Sequence, residues 1–212
     1  MSDCQIKAFQ DDPWLSSVLR RDSFVMHINP EWIESVSKAE SKEKSQFIEL
    51  LSQKVFIQAK VDVRDLKAIA LLEEWGFHLV DTNIVFGRAM FREAQGEIKT
   101  NIRLAGKADI ASVGELGRSS FVYSRFHLDP QISVETANEL KSSWVLNYFK
   151  GKRGDYLFVA EKDGVVVGFS QMILGDDSVC IDLIAVDKNF TRQGIASDLI
   201  KKIESVCGDK ER

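Results

Sequence analysis

Apolar positions change period along the last third of the chain. They run almost unbroken through Val179–Val186, with Asp182 the one charged interruption, as expected for a strand covered on both faces. Residues 187–193 are polar. From Gly194 onward Ile195, Leu199, Ile200, Ile203 and Val206 recur at helical spacing and mark one apolar face. Just upstream, residues 156–161 and Val165–Leu174 read as strands joined by Lys162-Asp163-Gly164, a hairpin signal because Asp-Gly tolerates positive φ. The pattern therefore predicts strand, hairpin, strand, strand, polar loop and amphipathic helix in succession.

Before that block the pattern predicts a first strand over residues 102–104 and a helix capped by Asp109, with Ile110, Val113 and Leu116 facing inward. A loop over residues 122–131 leads into a second helix over residues 133–149, carrying Ala137, Leu140, Trp144 and Tyr148. Residues 91–99 are polar and form the expected domain boundary, giving units of 1–95 and 96–212. In the first unit, strands are expected over residues 23–28 and 55–59. Phe47, Leu50 and Leu51 give a helical stripe late in the charged stretch 31–51. Asp62 is the expected cap of a helix bearing Leu66, Ile69, Leu72 and Trp75, with Asp65 favouring the same end of the dipole and Gly76 as the stop. Residues 77–86 have strand character, with 81–83 as a turn or an edge.

Composition narrows the class. The 212 residues allow one large domain or two small ones, and 44% hydrophobic content suits a packed core. A net charge of −4 argues against a nucleic-acid-binding surface. The start, Met-Ser-Asp-Cys-Gln-Ile-Lys, carries neither a basic nor an apolar leader segment, and no run of about 18 apolar residues predicts a spanning helix. Cys4, Cys180 and Cys207 are odd in number and far apart, as expected of reduced thiols in a cytoplasm. His27, His78 and His127 are isolated, so no metal site is expected.

The chemistry predicted for residues 191–197 is anion binding. Gly194 and Ala196 let a ligand approach the backbone, unpaired N–H groups open a helix there, and Arg192 adds a positive charge. Thr191-Arg192-Gln193-Gly194-Ile195-Ala196, directly after Leu-Ile-Ala-Val-Asp, resembles the coenzyme motif of the GNAT superfamily of acetyl-CoA-dependent N-acetyltransferases. Thr191 stands where Gln or Arg is usual in that family. The resemblance implies a mixed α/β fold with acetyl-CoA as co-substrate. Thr191, Arg192, Gln193, Gly194, Ile195, Ala196 and Ser197 would hold the diphosphate, while Leu183, Ile184, Ala185 and Val186 would meet the pantetheine and polarise the acetyl oxygen. Leu-Leu-Glu-Glu-Trp-Gly-Phe, from Leu71, resembles the tail of such a domain lying ahead of the motif. The first unit is therefore expected to be a partial, degenerate copy of the fold with a structural or acceptor-side role.

Residues 121–130 combine a guanidinium, an imidazole, a carboxylate and aromatic rings, a set suited to phosphate and to stacking on a base or sugar. Phe-x-x-Ser-Arg-Phe-His-x-Asp-Pro resembles the acceptor loop of bacterial dTDP-fucosamine acetyltransferases. That resemblance implies an acceptor of the dTDP-4-amino-6-deoxyhexose type, used for surface polysaccharide, with Phe121, Ser124, Arg125, Phe126, His127 and Asp129 as acceptor-loop residues. The candidate base is Asp182, His127 or a water chain. The acid of this family is usually a tyrosine beyond the motif helix, and none of Tyr123, Tyr148 and Tyr156 matches that position. A chain truncated after the motif helix is expected, the alternative being a first unit that supplies the missing sheet elements. A protein N-terminus or small amine as acceptor, and a coenzyme-binding module without turnover, remain as alternative functions, and the sequence leaves a homodimer open.

Overall fold

A computed structural model describes residues 9–36, 42–89 and 96–208. The chain separates into two compact units, Met1–Val80 and Asp81–Arg212. The expected boundary lay within residues 91–99, and residues 90–95 lie outside the described ones.

In the first unit, Asp12 accepts the Leu15 N–H (2.9 Å) and Pro13 opens the helix, so β1 (Phe9–Asp11) gives way at once to α1 (Pro13–Leu19). β2 (Ser23–Met26) pairs antiparallel with β1 and parallel with β3 (Phe56–Ala59). The crossover between β2 and β3 contains α2 (Pro30–Val36) and α3 (Lys42–Leu51), and α4 (Leu66–Glu74) follows β3. Phe47 is the hub of an aromatic core, stacked on Phe9 at 5.5 Å and tilted against Trp75 at 4.4 Å. Two expectations are corrected here. The cap of α4 is Asp65, which accepts the Ala68 N–H (3.0 Å), because Arg64 occupies the Asp62 carboxylate. Residues 77–86 form no strand; Ile84, Val85 and Phe86 are exposed and, among the described residues, lack the neighbour that β-propensity presupposes.

The second unit is a four-stranded antiparallel meander, β4 (Asn101–Leu104), β5 (Tyr156–Lys162), β6 (Val165–Leu174) and β7 (Val179–Val186), with helices on both faces. One face packs Phe169, Leu183 and Ala185 against Val113 and Leu116 of α5 (Ile110–Ser119) and Val145 of α7 (Val134–Leu146). The other packs Phe158 and Met172 against Ile195, Leu199 and Ile203 of α8 (Ile195–Gly208). The fold is thus a mixed α/β one, as expected. The hairpin between β5 and β6 turns on Asp163 (φ +52°) and Gly164 (φ +76°). Asp109 sits at the head of α5 without capping it, since its carboxylate takes Arg103 (2.7 and 2.8 Å) and the Gly106 N–H (2.7 Å). The expected loop over residues 122–131 contains a short turn of helix, α6 (Arg125–Leu128).

Two features position the site. At Gly168 a Cβ would lie 2.9 Å from the Ala185 carbonyl oxygen and 3.4 Å from Ile195 Cγ2, so its absence lets β7 and the head of α8 close onto β6. In the ladder Gln171 pairs with Leu183 and Met172 with Ile181, which leaves Asp182 as the extra residue of a bulge in β7. β7 is the edge of the sheet, and its outer side has no strand partner among the described residues.

Candidate functional site

After β7, the Asp187 side chain accepts the Asn189 N–H (2.8 Å) and its N–H donates to Val167 O (2.8 Å), anchoring a single 3-10 turn, Lys188–Phe190. The backbone then turns through Arg192 (φ +62°) and Gly194 (φ +82°) into α8. Thr191, Arg192, Gln193, Gly194, Ala196 and Ser197 are exposed, Ile195 is buried under the sheet, and a Cβ at Gly194 would meet nothing within 4 Å. The loop is held from outside the motif: Lys162 Nζ donates to Gln193 Oε1 (2.6 Å) and lies 5.7 Å from the Phe190 ring centroid. Inside the first turn of α8, buried Asp198 accepts the Lys99 and Thr100 N–H groups (3.1 Å each) and the Thr100 hydroxyl (2.9 Å). Burial pushes its carboxyl up, but these donors outweigh it and hold the group below the usual carboxylate range. The result is an open, charge-bearing helix mouth on a fixed base.

A second cluster centres on Trp144 of α7. Its indole N–H donates to Asp182 Oδ2 (3.0 Å). Arg153, from the connection between α7 and β5, donates to both oxygens of the same carboxylate (2.7 and 2.6 Å), and Gln171 Nε2 donates to it at 3.2 Å. Three cations approach the Trp144 ring: Arg153 at 4.8 Å, Lys141 at 5.0 Å and Arg125 at 5.8 Å from its centroid. Lys141 also lies 4.9 Å from the Phe121 ring and Arg125 lies 4.6 Å from that of Phe126. Among the described residues these three cations gather around one hydrogen-bonded carboxylate, Asp182, with the Asp81 charge also felt at Lys141. Burial, with the Arg125 charge second, pushes Lys141 from the ordinary 10.5 down to about 8.

The residues expected to form an acceptor loop divide. Arg125, Phe121 and Phe126 join this cluster, although Phe126 is itself buried. His127 has both ring nitrogens engaged, Nδ1 with Ser124 Oγ (2.7 Å) and Nε2 with Asn138 Oδ1 (2.9 Å). The tautomer that satisfies both carries its proton on Nε2. Asp129 follows α6 and accepts the Gln131 N–H (2.8 Å), so it organises the loop locally. Tyr123 is exposed, whereas Tyr148 and Tyr156 are half-buried and pack against the two cores. Lys141, Arg153 and Gln171 were missed by sequence reasoning. Gln171 did leave a signal, a polar residue in the middle of an apolar strand. Lys141 and Trp144 stand three apart on one helix face.

Among the described residues no group of three or more His, Cys, Asp or Glu side chains could hold a metal ion, and no helix is long and apolar enough to cross a membrane. Residues 122–212 match the model of the acetyltransferase (GNAT) family. The spore coat polysaccharide biosynthesis protein SpsD of Bacillus subtilis (strain 168) is 36% identical over 95 residues, covering 45% of this chain. The chain spans about a third of that relative's length, 32%. A functionally unknown conserved protein from Staphylococcus epidermidis superposes over 88% of this chain and 69% of its own, at 14% identity and TM-score 0.48. The ribosomal-protein-S18-alanine N-acetyltransferase of Escherichia coli superposes over 49% and 56%, at 16% identity and TM-score 0.36.

Proposed function

We propose that the protein, whose residues 122–212 match the acetyltransferase (GNAT) family, transfers an acetyl group from acetyl-CoA to the amine of a nucleotide-linked amino sugar of the dTDP-4-amino-6-deoxyhexose type, in the cytoplasm. The observation that carries this reading is the open turn Arg192–Gly194 at the mouth of α8. Its exposed N–H groups, its charge and the free space above Gly194 fit a diphosphate. Thr191, Arg192, Gln193, Gly194, Ile195, Ala196 and Ser197 would supply that seat. The outer edge of β7, unpaired among the described residues, would supply backbone donors at Leu183, Ile184, Ala185 and Val186 to the pantetheine and to the thioester oxygen.

The acceptor follows from the second cluster. A cluster of guanidinium, ammonium and aromatic groups suits an amine carried on an anionic nucleotide better than a polycationic amine such as a polyamine. The cluster's cations also disfavour the acceptor's ammonium form, which aids loss of its proton. The similarity to a polysaccharide biosynthesis protein favours the same class. Arg125 is the proposed phosphate contact, and Phe121 and Trp144 hold the cations of the cluster in place. Asp182 serves to hold Arg153 and Trp144, and His127 to fix the loop through Ser124 and Asn138.

Two measurements test this. Calorimetry should find acetyl-CoA binding to the unaltered chain and a loss of about 10-fold or more in Gly194→Val, because a β-branched residue at positive φ strains and crowds the turn. Thiol release should then appear with dTDP-4-amino-4,6-dideoxygalactose and not with peptide amines. Unchanged affinity in Gly194→Val, or a preference for peptide amines, defeats the proposal.

A further inference from the structure

An amine attacks a thioester only after losing its ammonium proton, and the two sequence-predicted side-chain bases are committed elsewhere. Asp182 is bonded by Arg153, Trp144 and Gln171, and His127 by Ser124 and Asn138. Lys141 differs. Its ammonium sits between the rings of Phe121 and Trp144, and among the described residues no hydrogen-bond acceptor or ion-pair partner meets it. It projects from the same face of α7 as Trp144, whose indole reaches the bulge at Asp182, so Lys141 stands beside the strand edge proposed to carry the thioester.

We propose that Lys141 is a catalytic residue that, as the neutral amine, takes the proton from the acceptor's ammonium. This inference rests on reading the Trp144 cluster as the acceptor pocket. The charged groups acting on Lys141 are Arg125 from α6, which opposes its positive form, and Asp182 from β7 and Asp81 from the segment before β4, which favour it. Arg153, on the same indole, is neutralised by Asp182. Burial outweighs all of them and brings Lys141 down to about 8, near enough to working pH for proton transfer. Arg125 keeps its charge at every accessible pH and is suited to hold an anion; a group able to lose its charge is suited to move a proton.

The step balances without a further reactant. An acceptor N–H bond breaks, its electron pair stays on nitrogen, and the proton joins Lys141 Nζ. The nitrogen pair then forms the C–N bond to the thioester carbon as the C–S bond breaks. The departing sulfur takes the proton back from Lys141, and the second amine proton leaves to solvent.

The test compares acetylation of dTDP-4-amino-4,6-dideoxygalactose by the unaltered chain, Lys141→Arg and Lys141→Ala. Lys141→Arg keeps the charge and is expected to keep the acceptor KM within about 3-fold while losing about 10²–10⁴-fold in kcat. Lys141→Ala is expected to regain kcat with added primary amines, more strongly with more basic ones. Acetyl-CoA affinity by calorimetry, expected within about 2-fold of the unaltered chain for both variants, reports that they are folded. A Lys141→Arg variant with near-normal kcat, or rescue that ignores amine basicity, overturns the inference and makes Lys141 an anion contact only. No transfer by the unaltered chain overturns the acceptor-pocket reading and the inference with it.

Discussion

The turn at the mouth of α8 and the cluster around Trp144 are built on opposite plans. The turn works through backbone: two residues at positive φ, an exposed N–H row and empty space over Gly194. Its ingredients lie within a few consecutive residues. The cluster works through side chains drawn from α6, α7, the connection after α7, β6 and β7, tied to one carboxylate. A backbone site tolerates change in its side chains but not in its torsions, whereas a side-chain site fails when its keystone is removed. The two should therefore break differently.

The largest effect is expected at the keystone. Asp182→Ala removes the acceptor for Trp144, Gln171 and two of the three guanidinium nitrogens of Arg153, and should cost about 1–3 kcal/mol of stability in urea unfolding. The figure is reduced because Arg153 remains 39% exposed. A cost below about 0.5 kcal/mol would mean the cluster does not depend on it.

Arg192→Gly probes the opposite plan. Glycine relieves the positive φ of Arg192, so stability should rise by up to about 1 kcal/mol, while loss of one exposed charge should weaken acetyl-CoA binding only a few-fold. Loss of stability in this variant would erase the contrast between the two sites.

The smallest effect separates charge from packing at Lys141. Below pH about 8 the ammonium is charged in both the folded and unfolded chain. Between about 8 and 10.5 the unfolded chain holds the proton and the folded one does not, so stability rises with pH across that window. Lys141→Met should flatten this rise in urea midpoints, and a slope unchanged by the substitution would locate the titration elsewhere.

The same contrast explains what could be read from the chain. β6, β7 and the helix after the polar loop announce themselves through local periodicity, and the coenzyme-type turn is contiguous. Lys141, Arg153 and Gln171 come from separate elements and meet only through tertiary packing, so no spacing rule joins them. Asp62 misled because competition decides caps: Arg64 claims its carboxylate and leaves α4 to Asp65. Residues 77–86 misled because β-branched composition describes a surface that pairs, and Ile84, Val85 and Phe86 have no such neighbour among the described residues.

The extra residue in β7 resets the reading frame of its pleat. Val179 faces the α8 side together with Ile184 and Val186, although strict alternation would group it with Leu183 and Ala185 on the opposite side. Without residue 182 strict alternation alone would place Val179, Ile184 and Val186 on the α8 side and Leu183 and Ala185 opposite, with every other ladder pair kept. The sheet therefore does not need the extra residue for its own packing; what position 182 adds to the strand is a carboxylate, set where Arg153, Trp144 and Gln171 can reach it.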